Sequence, residues 1–180
     1  MNSINEASNA FVSNGAILLQ VKRPLSTYIY LTMWRNIIIF GHSLVGFFIV
    51  ILIFQIYPTV TYLLIPFGML LYLINIGWMC LLVSLVSARY RDVPLIIQNG
   101  FSVLIWLTPI YYYPEQLGPT GRQIIELNIF TYVFDIARSP FMNVNPPQST
   151  WIVALITAVI GWSLTMIVFI SVRRRVPFWI

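Results

Sequence analysis

The sequence predicts an all-α, polytopic membrane protein with four transmembrane helices and an outer helical hairpin, in a single domain over residues 1–180. Three observations carry this prediction. Hydrophobic residues make up 59% of the chain and charged residues only 8%, whereas soluble domains carry about 25% charged residues. The hydrophobic residues form four long apolar stretches. The basic residues cluster at the ends of those stretches, as the positive-inside rule describes.

The first 20 residues are mostly small and polar, and they predict a segment at the membrane interface or in the cytosol. Lys22-Arg23-Pro24 follows, and Pro24 suits the start of a helix. The spans are predicted at about 28–55, 62–86, 95–112 and 151–172. The first would be about 42 Å long, beyond the roughly 30 Å of hydrocarbon, so it is expected to tilt or protrude.

Residues 114–150 form a partly apolar outer segment between the third and fourth spans. Hydrophobic residues recur at mixed three- and four-residue spacing from Ile124 to Ile136, as in a short amphipathic helix. Gly118, Gly121 and Ser139-Pro140 are expected to break this helix at its two ends. The segment is too short and too charged for a further span. A helix lying flat on the outer leaflet and a re-entrant hairpin both fit its composition.

Orientation follows from counting lysine and arginine on the two sides of a four-span chain. The opposite side holds only Arg122 and Arg138. Because cytoplasmic loops carry the excess of basic residues, both termini are expected in the cytoplasm. The side assigned to the cytoplasm holds seven basic residues: Lys22, Arg23, Arg89, Arg91, Arg173, Arg174 and Arg175.

The residue inventory excludes or disfavours several functions. The single lysine, Lys22, is not part of a P-loop, so ATP binding of that kind is excluded. One histidine, His42, and one cysteine, Cys80, cannot form a metal cluster of the usual spacing. The predicted spans contain no Asp or Glu, which disfavours ion coupling. The net charge of +5 is explained by the positive-inside effect, so no nucleic acid partner is expected.

The polar and aromatic residues inside the spans have more than one interpretation. Arg35 lies about two turns into the first span, where its side chain can snorkel to the cytoplasmic face. Trp34, Trp78, Trp106 and Tyr111 are candidates for stacking on sugars. Packing between helices or contact with lipid explains the three tryptophans equally well, and the interfacial aromatic belt explains Tyr111.

Several short motifs in the chain carry a family resemblance. They are Gly15 to Leu25, Ala88-Arg89-Tyr90-Arg91-Asp92-Val93-Pro94, Gln98-Asn99, Leu107-Thr108-Pro109-Ile110, Pro114-Glu115-Gln116-Leu117, Asn128 to Thr131 and Ala137-Arg138-Ser139-Pro140-Phe141. Together they resemble the permease subunits of ABC-2 type exporters, chiefly the exporters of O-antigen, capsular polysaccharide and teichoic acid. The resemblance covers nearly the whole chain in order. Where family members commonly have Asn-Pro, this chain has Asn128-Ile129.

The resemblance implies a transport subunit and not an enzyme. Two permeases pair as a homodimer around a channel, and a dimer of separate ABC ATPase subunits docks on the cytoplasmic side. ATP-Mg binds to those ATPases, and no cofactor binds to the permease itself. The substrate is a lipid-linked glycan, and the location is the bacterial cytoplasmic (inner) membrane. Family members usually have six spans after an amphipathic interface helix, so the chain corresponds to a permease without that helix and its first two spans.

The resemblance also assigns roles to individual residues. The segment that contacts the ATPase contains Ile17, Leu18, Gln20, Lys22, Arg23 and Pro24. The outer hairpin, 122–141, gates the exit, with Arg122, Glu126, Asp135 and Arg138 as its charged residues. We hypothesise that Trp34, Trp78, Trp106 and Tyr111 line the path of the glycan.

Two alternatives from other classes remain open on the sequence. A membrane enzyme of glycan assembly would need acidic or histidine residues converging at a cytoplasmic loop, and Asp92 is the only acid there. A small channel or structural membrane protein is the third interpretation. Co-purification with an ATPase separates the exporter from both.

Overall fold

The computed structural model describes residues 2–15, 24–55, 57, 59–109 and 118–179, and the regular secondary structure in these ranges is entirely helical. The α-helices in chain order are α1 (Asn2–Ser13), α2 (Leu25–Ile53), α3 (Ile65–Arg89), α4 (Val93–Leu107), α5 (Pro119–Leu127), α6 (Ile129–Phe141) and α7 (Gln148–Val172). Two 3₁₀ turns, Val60–Leu64 and Val176–Phe178, precede α3 and follow α7.

Three helices are long and apolar enough to cross a membrane: Leu25–Ile53, Val60–Arg89 and Gln148–Val172. They correspond to the predicted spans 28–55, 62–86 and 151–172. The predicted span 95–112 corresponds to α4, which is apolar but has only 15 residues and ends at Leu107. At 1.5 Å per residue α4 is about 22 Å long, and 110–112 lie outside the described residues.

Prolines mark where most of these helices begin. Pro24 precedes α2, Pro147 precedes α7, and Pro66, Pro94 and Pro119 occupy the first or second position of α3, α4 and α5. The first turn of a helix leaves its N–H groups without intrahelical partners, so proline costs nothing there and fixes a helical φ. This local preference explains why the predicted and observed helix starts differ by only a few residues.

α3 is the central helix of the bundle, and α7 packs parallel to it. Gly77 and Trp78 on α3 face Gly161 and Trp162 on α7, with each indole lying on the glycine of the other helix. Small residues allow such close approach between apolar helices. The Nδ2 atom of Asn75, which is fully buried, donates to the Ala154 carbonyl at 3.1 Å. The contact is therefore both tightly packed and hydrogen-bonded.

α1 packs inside the bundle, against α2, α3 and α4. Ile4, Ala7 and Phe11 are each at most 2% exposed, and Ser84 Oγ donates to the Ala7 carbonyl at 2.6 Å. The sequence predicts that these residues lie at the membrane interface or in the cytosol, and it does not predict this packing. Their spacing of three and four residues puts them on one helical face, but polar neighbours dominate the composition.

The outer segment contains two helices, α5 and α6. The chain bends at Asn128, between α5 and α6, and α6 continues through Ser139-Pro140 to Phe141. Pro140 falls in the last turn, so the helix ends one residue later. Val133 and Ile136 are fully buried between α3 and α7.

α6 runs along α3 in the opposite direction. Phe134 of α6 packs on Tyr72 of α3 with ring centroids 5.8 Å apart. Phe130 packs on Phe101 of the neighbouring α4 at 6.0 Å. Further along, the Ile136 carbonyl touches Gly68, which leaves no room there for a side chain. After α6, Thr59 Oγ1 donates to Asn143 Oδ1 at 2.9 Å, near the start of the Val60–Leu64 turn.

Candidate functional site

A cavity of about 480 Å³ lies between α2 on one side and α3 and α6 on the other, with the first residues of α1 at one end. Its walls are mostly apolar, with Met33, Ile37, Ile39, Phe40, Met69, Leu73, Ile76, Phe134, Ala137 and Phe141 contributing. The remaining lining residues carry polar groups: Asn2, Ser3, Asn36, Ser43, Tyr72 and Arg138. Such a cavity suits an amphiphilic molecule better than a fully polar one.

Among the described residues that line this cavity, Arg138 is the one that carries a full charge. It is half-buried, and its Nη1 donates to the Pro109 carbonyl at 2.5 Å. Asp135 lies one turn earlier and accepts a hydrogen bond from Ser139 Oγ at 2.6 Å. In the described ranges the only ion pair joins Arg35 and Glu6, so Arg138 has no carboxylate partner among them.

Glu6 pairs with Arg35 and Asn36 at the junction of α1 and α2. Its Oε2 accepts from Arg35 Nη2 at 2.7 Å, and Asn36 Nδ2 donates to the same oxygen. Burial raises the pKa of the Glu6 carboxyl, but hydrogen bonds from Arg35 and Asn36 and the charge of Arg35 outweigh it. The net pKa lies below its ordinary value. Sequence spacing gives no signal for a pair 29 residues apart.

The end of α4 is bound to the outer segment through Asn128 and Arg138. Asn128 Oδ1 accepts from the Phe130 N–H at 3.0 Å and so caps α6. Its Nδ2 donates to Thr108 Oγ1 at 3.3 Å and to the Leu107 carbonyl at 3.4 Å. With the bond from Arg138 to the Pro109 carbonyl, the Leu107-Thr108-Pro109 motif meets both ends of α6.

The predicted gate residues do not form one charged cluster. Arg138 faces the cavity, while Asp135 is engaged within α6 by Ser139. The Glu126 side chain is exposed, and its backbone carbonyl accepts from Tyr132 Oη at 2.8 Å. The side chain of Arg122 lies outside the described part of the structure.

The tryptophans predicted to line the glycan path lie on different surfaces, and none of them lines the cavity. Trp34 is 63% exposed on α2, and Trp106 is 72% exposed on α4. Trp78 is half-buried in the contact between α3 and α7, where its Nε1 donates to Asn75 Oδ1 at 3.3 Å. Tyr111 lies outside the described residues.

The predicted ATPase-contact segment is described only at its end. Ile17, Leu18, Gln20, Lys22 and Arg23 lie outside the described residues. Pro24 is exposed and directly precedes α2.

The basic turn after α3 contacts the C-terminal tail. The Arg89 guanidinium lies 5.1 Å from the ring centroid of Trp179, in a cation–π contact. Arg91 Nη2 donates to the Trp179 carbonyl at 3.2 Å, and Val176 is fully buried. These contacts place the turn and the tail at the same end of the bundle.

No protein-family model matches the chain, and the search of curated proteins gives no match.

Proposed function

We propose that this chain is the membrane-spanning permease subunit of an ATP-driven exporter of lipid-linked polysaccharide, of the O-antigen, capsule or teichoic acid type. The observation that carries the proposal is the junction at the end of α4. There, Asn128 and Arg138 contact Leu107, Thr108 and Pro109. Three motif segments that resemble the exporter family, 107–110, 128–131 and 137–141, are thus neighbours in space, although the bonded residues are 20 to 29 positions apart in sequence.

In this proposal the chain crosses the bacterial cytoplasmic membrane four times, with both termini in the cytoplasm and α4 forming most of the third span. The outer helix α6 is re-entrant. Its position supports this, because α6 lies along α3 and α7 and buries Val133 and Ile136 between them. A helix lying flat on the leaflet would cross the ends of the spans instead.

Energy is supplied by a dimer of ATPase subunits that bind ATP-Mg, since the chain itself has no P-loop and no acidic residue within its apolar helices. The ATPases act on the segment 17–24, and α2 receives the motion at Pro24. The permease works as a homodimer, and the glycan passes along a path that includes Trp34 and Trp106.

The Asn128 and Arg138 contacts give the outer segment a mechanical connection to α4. A movement of α4 is transmitted to α6 through Thr108 and Pro109 without any covalent link between the helices. Opening and closing of the exit is therefore coupled to the third span through the hydrogen bonds of Asn128 and Arg138.

A deletion strain tests the proposal. Cells without the chain are expected to lose polysaccharide from the surface and to accumulate the lipid-linked form inside. The chain restores export only together with an active ATPase, and an ATPase variant without its P-loop lysine is the matched control. Unchanged surface polysaccharide in the deletion strain contradicts the proposal.

A further inference from the structure

Arg138 has hydrogen-bonding capacity that the described part of the chain leaves unused. A guanidinium carries five N–H donors, and the described contacts of Arg138 account for one, to the Pro109 carbonyl. Asp135 makes no ion pair with it. A cation among apolar helices requires an anionic or carbonyl partner, and phosphate matches the planar geometry of its donors.

The cavity beside Arg138 is long and has apolar walls. It follows α2 from Met33 to Ser43, ten residues or about 15 Å. Because α2 and α3 are successive antiparallel helices, Ser43 lies towards the Met69 end of the cavity and Met33 towards Gly77. Arg138 lies at the Met69 end, since Ile136 touches Gly68. A charged group there leaves the apolar remainder for a hydrocarbon chain.

We propose that this cavity binds one anionic membrane phospholipid, with its phosphate on the Arg138 guanidinium and one acyl chain between α2 and α3. Charge complementarity selects the headgroup, because Arg138 carries the only full charge on the described lining residues and that charge is positive. The apolar side chains Met69, Leu73, Ile76 and Phe40 select the chain. This inference rests on the apolar helices and the cavity and does not depend on the proposed export activity.

Lipid titration of the full chain tests the site. The chain is purified in mild detergent, stripped of lipid and titrated with phosphatidylglycerol, and bound lipid is counted by native mass spectrometry. One lipid is expected to bind tightly, and Arg138→Gln weakens it by about tenfold or more, the loss typical of a charge-assisted contact. Diacylglycerol, which lacks the phosphate, is expected to bind the unchanged chain at least as weakly as phosphatidylglycerol binds the Arg138→Gln variant.

A second variant separates lipid binding from folding. Ala137 lines the cavity, so Ala137→Leu reduces its volume while retaining Arg138. Ala137→Leu is expected to weaken the binding of phosphatidylglycerol by a similar factor, and it tests the lipid site if Arg138→Gln does not fold. Arg173→Gln, an exposed residue after α7, is the control for surface adhesion and leaves the affinity unchanged.

Three results would overturn the proposal. Equal affinity of the unchanged chain and a folded Arg138→Gln variant removes the headgroup site. Displacement of the lipid by glycerol 3-phosphate at equal concentration identifies a site for free phosphate instead. An equal loss in Arg173→Gln shows adhesion to the basic surface.

Discussion

Trp78 of α3 lies directly on the backbone of α7 at Gly161, so closely that no β-carbon fits between them. Trp162 makes the reciprocal contact with Gly77, and its Nε1 donates to the Ile74 carbonyl at 3.0 Å. The two Gly-Trp pairs fix the parallel packing of α3 and α7. α3 is in far more extensive contact with α7 than with α2.

Substitution of Gly161 by alanine is expected to destabilise the bundle. The added methyl group overlaps the Trp78 ring, and overpacking of this kind costs about 1–3 kcal/mol. Thermal unfolding in detergent measures the loss. Gly100→Ala on α4 is the matched control, because nothing lies within 4 Å of its added carbon, and it leaves the unfolding temperature unchanged or raises it. Equal effects of the two variants contradict the packing.

The contacts of Asn128 predict that substitutions at residues 128 and 129 differ in their effect on stability. Asn128→Ala removes the cap of α6 and its bonds to Leu107 and Thr108, and a lost cap alone costs about 0.5–2 kcal/mol. Ile129→Pro, which gives the Asn-Pro common in the permeases that the sequence resembles, is expected to be tolerated. Ile129 is the first residue of α6, and Asn128 already has the extended conformation (φ −82°, ψ 106°) that precedes proline.

Thermal unfolding of both variants in the same detergent checks this prediction. The expected order is Ile129→Pro close to the unchanged chain and Asn128→Ala clearly lower. The reverse order shows that the chain does not bend at Asn128.

The Glu6–Arg35 pair predicts a stability that depends on pH. Since the pKa of Glu6 in the folded chain lies below its ordinary value of 4.5, its contribution is present above that value and is lost as the pH falls through the lowered pKa. The side chain of Arg35 is 62% exposed and that of Glu6 is 37% exposed, so the pair contributes about 0.2–1 kcal/mol to the free energy of unfolding.

Unfolding temperatures of the unchanged chain and of Glu6→Gln, measured from pH 7 to pH 3, check this sign. Glu6→Gln is less stable at pH 7, and the difference disappears in acid. A difference that is constant across the range means that the carboxylate charge contributes nothing.

Substitutions of different tryptophans are expected to affect export in one case and folding in the other. Trp34→Ala with Trp106→Ala is expected to reduce polysaccharide export by about twofold or more, as loss of aromatic contact area does, with normal amounts of protein in the membrane. Trp78→Ala instead lowers the amount of folded protein, because Trp78 packs on Gly161. Unchanged export in the double variant, at normal expression, removes both residues from the glycan path.

Much of the helix arrangement follows from local sequence. Proline positions predict the starts of α2, α3 and α7, and charge counting groups the turn at Arg89 with the C-terminal tail. The all-helical fold is confirmed over the described residues, and three of the predicted spans coincide with helices long and apolar enough to cross a membrane. These features depend on single helices or on summed charge, which a linear sequence carries directly.

The remaining features depend on pairs of distant residues. Ala7 with Ser84 and Glu6 with Arg35 place α1 inside the bundle, but each side chain alone looks like an ordinary surface residue in the sequence. Arg138 is recognisable as a charge in an apolar segment, yet its place in a cavity depends on how α2, α3 and α6 pack. The cavity therefore could not be predicted from the sequence.

Co-purification with an ATPase tests whether this chain is the permease of an ATP-driven exporter, as we propose. The tagged chain is purified in mild detergent from cells that express it with an ABC ATPase of the same organism. We predict a stable complex with equal numbers of the two subunits, lost when residues 17–23 are replaced by a Gly-Ser linker of equal length. A chain that purifies without the ATPase contradicts the proposal.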